Sequence, residues 1–235
     1  MAAGFSGFGP GTFGFLRDLA ANNNRTWFTD HKDVYERGVL APFHGLLADV
    51  ISSLAERRIP LAGDPKKAIF RIHRDVRFSK EKLPYKTHAG AVLTRDGIKG
   101  ASGILYIHIE PDRCFLAAGF HAPTPDQLGA IREAIYIDPA RFQTLRQDLT
   151  TVGLALDNNE TLTRMPRGYE DAADWPMADA LRFKRYVVRR PLAAGTVASA
   201  ALTEAAVAFA SDALPLLRFG WQALTVLDPT RPGAR

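Results

Sequence analysis

Apolar side chains recur at helical spacing toward both ends of the chain, whereas in the middle they alternate with polar ones. The spacing from Phe15 to Leu19 places apolar positions on one face of a helix. Thr124 and Pro125 supply an N-cap and a first-turn residue for a later helix. Pro42 either kinks the second predicted helix or starts a new one. The pattern predicts helices over residues 13–21, 27–56, 124–137, 140–149, 197–213 and 215–224.

Alternation of apolar and polar positions predicts the strands. They cover residues 68–74, 87–94, 104–110, 113–121 and 181–189. The strand over 104–110 has one apolar face and one polar face. The apolar face carries Leu105, Ile107 and Ile109. The polar face carries Tyr106, His108 and Glu110. A tight turn joins it to the next strand as a hairpin. That next strand has small residues at Ala117 and Gly119, and we expect the space beside them to admit a ligand.

Strands grouped in the middle of the chain and helices at both ends predict an α+β fold. Its mainly antiparallel sheet is flanked by N-terminal and C-terminal helices. Neither an internal repeat nor a low-complexity linker divides the 235 residues. We therefore expect a single domain over residues 1–235, with an irregular lead-in over 1–11 and a loose tail over 228–235.

Charge adds one feature, the segment from Lys66 to His88, which we call the basic segment. It holds eight Lys or Arg residues and two acidic ones, although the whole chain carries a net charge of only +5. Phe70, Phe78 and Tyr85 lie among these charges, and a run of solvated charge would not need them. The basic segment is therefore interpreted as one wall of an anion-binding site.

Guanidinium and ammonium groups bind phosphate and carboxylate, and hydroxyl groups add neutral hydrogen-bond donors. The residues predicted to bind the anion are Arg74, Arg77, Ser79, Lys80, Lys82, Tyr85, Lys86 and Tyr106. His108, on the polar face of a central strand, is the best candidate for a general acid or base, and Asp75 is the second candidate. The alternatives are a structural core histidine and an Asp75 that pairs with an arginine.

The sequence lacks the spacing patterns of known metal and cofactor sites. His73, His88, His108 and His121 lie on or beside predicted strands, but none has the i, i+4 or C-x-x-C spacing of a metal site. We therefore expect no metal, and no cofactor, because the G-x-x-x-x-G-K-S/T, G-x-G-x-x-G and G-x-S-x-G patterns do not occur. Cys114 is the single cysteine, which excludes an internal disulfide and is typical of a buried thiol.

Location is predicted from what the apolar stretches contain. The N-terminal residues lack the basic region and unbroken apolar stretch of a secretory signal. The most apolar stretch, residues 192–217, contains Glu204 and Asp212 and is rich in alanine, which argues against a membrane span. We expect a cytoplasmic protein without a membrane partner.

Two segments resemble the signature segments of a known family. RDVRFSKEKLPYK (74–86) and GILYIHIEP (103–111) are similar to those of DUF2461, a family of bacterial and fungal proteins without an assigned activity. FLRDLAANNNRTWF (15–28), AGFHAPTPDQLGAIREAI (118–135) and RMPRGYE (164–170) extend the resemblance over most of the chain. The resemblance implies a single-domain unit with a site built from the first two segments.

Three classes of function stay open. The first is a protein that binds or acts on a small phosphorylated or carboxylated compound. The second is nucleic-acid binding through residues 66–88 and 182–190, and the third is a scaffold that binds an acidic protein partner. We favour the small anion, because Pro84 and Tyr85 fold the basic segment into a loop and the small face of Ala117 and Gly119 offers depth. The sequence does not predict the oligomeric state.

Overall fold

The computed structural model describes residues 4–75, 77 and 82–227. Ser79 and Lys80, two of the predicted anion-binding residues, lie outside the described residues. The strands form one antiparallel sheet whose order follows the chain: β1 (Ala89–Thr94), β2 (Ile104–Ile109), β3 (Phe115–Phe120) and β4 (Tyr186–Pro191).

The helices lie before, within and after the series of strands. Those before β1 are α1 (Pro10–Ala21), α2 (Arg25–Asp30), α3 (Lys32–Tyr35), α4 (Ala41–Glu56) and α5 (Pro65–Ala68). Those between β3 and β4 are α6 (Pro125–Ile137), α7 (Pro139–Thr151) and α8 (Ala178–Leu181). The helices after β4 are α9 (Ala194–Val197) and α10 (Ala201–Leu224). This arrangement confirms the predicted α+β class, with its antiparallel sheet and its helices at both ends.

The chain divides into two compact units. The first comprises Met1–Ala101, Leu105–Leu116 and Arg190–Phe209. The second comprises Ser102–Ile104, Ala117–Arg189 and Ala210–Arg235. The expectation of a single domain stays a prediction.

The strand predicted over residues 68–74 is wrong. The chain there forms the short helix α5 and then two isolated antiparallel bridges, Ile69 to Ala91 and His73 to Tyr85. The Asp64 carboxylate accepts hydrogen bonds from the backbone N–H groups of Lys66 and Lys67, at 2.8 and 3.3 Å. This N-cap places Ala68 in a helical turn, so the extended chain begins only at Ile69, where it pairs through isolated bridges.

Three other predicted elements differ from the structure in where they begin, end or divide. The helix predicted over 27–56 is divided into α2, α3, a π-helical turn at Glu36–Leu40 and α4. The two helices predicted over 197–224 are one continuous helix, α10, which tolerates Pro215 inside it. The strand predicted over 181–189 begins only at Tyr186, because α8 occupies the residues up to Leu181.

The stretch Lys32–Glu56 is, among the described residues, long and apolar enough to cross a membrane by length and composition alone. The core helix of a soluble protein meets the same criterion, so the observation is weak. The apolar stripe of α4 is fully buried, with Phe43, Leu46 and Val50 at 0% exposure.

In the first unit, Tyr85 anchors the end of the basic segment. Its ring is 4% exposed and stacks on Phe28, with a centroid distance of 4.2 Å. The Asn23 side chain donates to the Tyr85 carbonyl and accepts from the Tyr85 N–H, both at 3.0 Å. Asn23 therefore pairs with the Tyr85 backbone as a neighbouring strand would, and it fixes the position of the residues that follow.

In the second unit, Gly119 in β3 allows a close approach of the Tyr186 backbone. A Cβ atom at residue 119 would lie 2.1 Å from the Tyr186 carbonyl oxygen, and Gly119 has a φ of +128°. The ligand space expected beside Gly119 is therefore filled by the Tyr186 carbonyl. Tyr186 itself is fully buried, and its hydroxyl donates to the Ala180 carbonyl at 2.8 Å.

Replacement of Asn23 by alanine is expected to destabilise the protein by about 1–3 kcal/mol, because it removes two hydrogen bonds to a part-buried backbone. The measurement is the free energy of unfolding in urea. Asn22→Ala is the matched control, since it removes only an exposed hydrogen bond to the Asp18 carbonyl and should cost under about 0.5 kcal/mol. Equal losses in the two variants would contradict the role assigned to Asn23.

Gly119→Ala is expected to destabilise the protein by at least about 1–3 kcal/mol, because it adds backbone strain and a clash with a carbonyl. Gly129→Ala in α6 is the control, since a Cβ there meets nothing within 4 Å. That variant should be neutral or gain up to about 1 kcal/mol of helix propensity. Urea unfolding compares the two, and a neutral Gly119→Ala would refute the close approach.

Candidate functional site

The two faces of β2 differ in chemistry as the alternation predicts. The apolar face is fully buried and consists of Leu105, Ile107 and Ile109. Tyr106 and His108 occupy the alternate positions, and Glu110 follows directly after the strand. Because alternate residues of a strand point the same way, these three polar side chains lie together.

His108 is 4% exposed, and its imidazole makes two polar contacts and two ring contacts. Its Nδ1 lies 2.8 Å from the Tyr106 hydroxyl, and its Nε2 lies 3.2 Å from Glu110 Oε2. Phe115 stacks on one face of the ring at 4.5 Å, and the His88 ring lies at 4.6 Å. A buried histidine held in this way has a fixed ring orientation.

His88 joins this group from the residue just before β1. One ligand atom from each of His88, His108 and Glu110 lies within 4.8 Å of the other two. Burial lowers the pKa of His88 to about 4, and the positive charge of His108 acts in the same direction. The Glu110 carboxylate opposes this shift without reversing it. His88 is therefore a neutral imidazole at physiological pH.

Tyr106 occupies its position because residue 90 has no side chain. A Cβ atom at Gly90 in β1 would lie 2.6 Å from the Tyr106 hydroxyl oxygen. Burial, with help from the Glu110 carboxylate, raises the pKa of Tyr106 to about 12. The phenol is thus protonated and is available as a hydrogen-bond partner of His108.

Glu110 also contacts the turn that follows β2. Arg113 Nε lies 3.4 Å from Glu110 Oε2, and the Arg113 side chain is 70% exposed. The Cys114 thiol donates to the Glu110 carbonyl at 3.1 Å. Burial raises the pKa of Cys114, and the Glu110 carboxylate adds to this effect, so the thiol is not activated as a nucleophile.

A pocket of about 370 Å³ lies beside this group in the first unit. Its lining residues all belong to the basic segment, namely Arg74, Asp75, Tyr85, Lys86, Thr87 and His88. His88 thus lines the pocket and also belongs to the cluster with His108 and Glu110.

The predicted site residues are only partly brought together. Arg74, Tyr85 and Lys86 line the pocket with Asp75, whereas Tyr106 bonds to His108. Arg77 instead forms an exposed ion pair with Asp75 at 2.6 Å. Hydrogen bonds from Arg77 hold the pKa of Asp75 below its usual value, so Asp75 is ionised. Lys82 is exposed and is not part of the pocket lining.

Lys86 has a polar partner besides the pocket. Its ammonium group donates to the Arg71 carbonyl at 3.0 Å and lies 5.3 Å from the Phe70 ring centroid. Burial lowers the pKa of Lys86, and the positive charge of Arg71 adds to this effect. Lys86 is therefore positioned by the chain, unlike a lysine that points freely into solvent.

In the second unit, two arginines of the other basic stretch are paired with acids. Arg185 is 12% exposed and lies 3.0 Å from both Asp157 and Glu160. Arg189 lies 3.3 Å from the same Asp157 carboxylate. These two arginines already have anionic partners within the protein.

Sequence reasoning did not assign Thr87, Asn23 or His88 to the site. His88 was among the four histidines considered, but its nearness to His108 depends on the pairing of β1 with β2, which the spacing patterns do not include. Gly90 was the available signal, since a glycine in a strand often marks a close approach by a neighbour.

Comparisons with known proteins give a family but no characterised relative. No curated protein and no solved structure matches the chain. The family model described as "Conserved hypothetical protein (DUF2461)" matches residues 11–219 of the 235. This match covers both segments that resemble the family's signature segments, and it shows that the chain belongs to the DUF2461 family.

Proposed function

We propose that the protein binds a small phosphorylated or carboxylated compound in the pocket lined by Arg74, Lys86 and His88. The observation that carries this proposal is that two cations and a neutral imidazole line one cavity of small-molecule size. A volume of about 370 Å³ falls within the usual range of about 300–1,000 Å³ for ligand sites.

The donors around the pocket suit an oxyanion. A guanidinium group such as that of Arg74 offers paired N–H donors to two oxygens of one phosphate or carboxylate. Lys86 supplies a point charge that its bond to the Arg71 carbonyl holds in position. Thr87 adds a neutral hydroxyl donor.

Asp75 narrows the class of ligand. Its carboxylate lines the same pocket, and although Arg77 balances its charge, the carboxylate oxygens can accept a further hydrogen bond. A carboxylate accepts hydrogen bonds, which a hydroxyl or amino group provides. The pocket therefore favours a compound that carries one anionic group and at least one hydroxyl or amine, such as a sugar phosphate or a hydroxy acid.

The other two classes of function stay predictions. Pairing of Arg185 and Arg189 with acidic side chains weakens the case for nucleic-acid binding through residues 182–190. We therefore rank nucleic acid and an acidic protein partner below the small anion.

Arg74→Ala and Lys86→Met are each expected to weaken binding by about tenfold or more, because each removes a charge-assisted hydrogen bond worth about 1.5–3 kcal/mol. The measurement is isothermal titration with inorganic phosphate and a panel of sugar phosphates and hydroxy acids. Compounds that combine an anion with a hydroxyl group should bind more tightly than phosphate alone.

Arg218→Ala is the matched control, since it removes the same charge from an exposed position of α10. It should leave the affinity unchanged. Equal weakening by Arg218→Ala would indicate a general charge effect, and a wild type that binds none of the compounds would refute the pocket. A single-stranded oligonucleotide that binds more tightly than any small anion, with a steep salt dependence, would favour the nucleic-acid alternative.

A further inference from the structure

From the cluster on β2 we infer that His88, His108 and Glu110 bind a divalent transition-metal ion. Two imidazoles and one carboxylate form a donor set suited to zinc and iron(II), whereas calcium and magnesium prefer oxygen ligands alone. Three protein ligands leave at least one coordination position for water or a ligand. This inference is independent of the proposed anion binding.

The spacing of the ligand atoms is close to what a metal ion requires. In a tetrahedral site with bonds of about 2.0–2.1 Å, ligand atoms lie about 3.3 Å from one another. His108 Nε2 and Glu110 Oε2 are already 3.2 Å apart, and all three ligand atoms lie within 4.8 Å. Rotation of the His88 ring and the Glu110 carboxylate about their terminal torsions can supply the remaining adjustment of up to about 1.5 Å.

The His108 ring is held as outer partners hold a metal-binding histidine. Its Nδ1 faces the Tyr106 hydroxyl at 2.8 Å, which leaves Nε2 directed at Glu110 and the cluster. In the tautomer that leaves Nε2 free for a metal, Nδ1–H donates to the Tyr106 hydroxyl oxygen, and this contact sets the orientation of the ring. Phe115, stacked on the ring, restricts its tilt.

His88 distinguishes a metal site from a simple hydrogen-bond network. A network needs only His108, Glu110 and Tyr106, which are already bonded to one another. Within the described chain the His88 ring nitrogens make no hydrogen bond, yet the ring lies 4.6 Å from that of His108. His88 is half-buried and lines the pocket, so water reaches its nitrogens, and an ion shared with His108 and Glu110 would take the place of that water.

His88 also lines the pocket of about 370 Å³. An anion held by Arg74 could therefore supply an oxygen to the open coordination position of the metal. This step alone rests on the proposed function, and the ion itself does not require it.

The test is titration of the full chain, first treated with a chelator and then dialysed, with zinc chloride in a phosphate-free buffer. We expect one equivalent of zinc to bind per chain, as measured by isothermal titration calorimetry. Cobalt(II) used in its place should give the visible absorption of a bound ion with nitrogen and oxygen ligands.

His88→Gln and Glu110→Gln should each lower the zinc affinity by more than tenfold, with little loss of folding because both side chains are partly exposed. Tyr106→Phe should lower it by about 10–100-fold without changing the stoichiometry.

Two control variants keep the assignment testable. His121→Gln replaces another histidine outside the cluster, and Cys114→Ser removes the nearby thiol, so both should bind zinc as the wild type does. Absence of zinc binding by the wild type, or unchanged binding by His88→Gln and Glu110→Gln, would overturn the inference. Loss of binding in Cys114→Ser alone would also overturn it. Anion titrations in the presence of chelator measure the pocket separately, so failure of one proposal does not imply failure of the other.

Discussion

The burial of His108 is the constraint on which the site depends. A polar side chain placed within a sheet must find partners, because an unsatisfied buried imidazole nitrogen costs about 1–3 kcal/mol. Tyr106 and Glu110 supply those partners from the same strand, since every second residue points the same way. Tyr106 in turn needs the space that Gly90 leaves open in β1. Burial of His108 thus constrains two strands: β2 must supply its hydrogen-bond partners, and β1 must have a glycine at residue 90.

The basic segment illustrates how charge in a sequence differs from charge at a site. Arg77 is paired with Asp75 on the surface, so its charge does not add to those of Arg74 and Lys86. Lys86 is fixed by the Arg71 carbonyl, and Tyr85 is fixed by Asn23 and Phe28. Of the eight basic residues of the segment, only Arg74 and Lys86 line the pocket, and Lys86 is held there by its hydrogen bond.

Local chemistry explains which features were predictable. The two faces of β2 and the capped start of α6 follow from residues within one or two turns of each other, and both are as predicted. In the segment 68–74, the Asp64 cap accounts for the helical turn at Ala68, and the residues after it pair only through isolated bridges. The contact between His88 and His108 depends on which strands pair, and the bond between Asn23 and Tyr85 joins residues 62 positions apart. Neither can be obtained from spacing along the chain.

A metal ion bound by Glu110 would replace contacts that this side chain already makes, so the free energies of the two must be compared. Its ion pair with Arg113 is exposed, and such pairs contribute about 0–1 kcal/mol. Its contact with His108 Nε2, at 3.2 Å, adds about 1.5–3 kcal/mol if His108 is charged. Zinc binding to structural sites with four ligands releases about 10–16 kcal/mol of free energy. A site with three protein ligands can release less than this and still outweigh the two contacts of Glu110. Because the three ligand atoms would need to approach one another by no more than about 1.5 Å, the existing hydrogen bonds do not prevent metal binding.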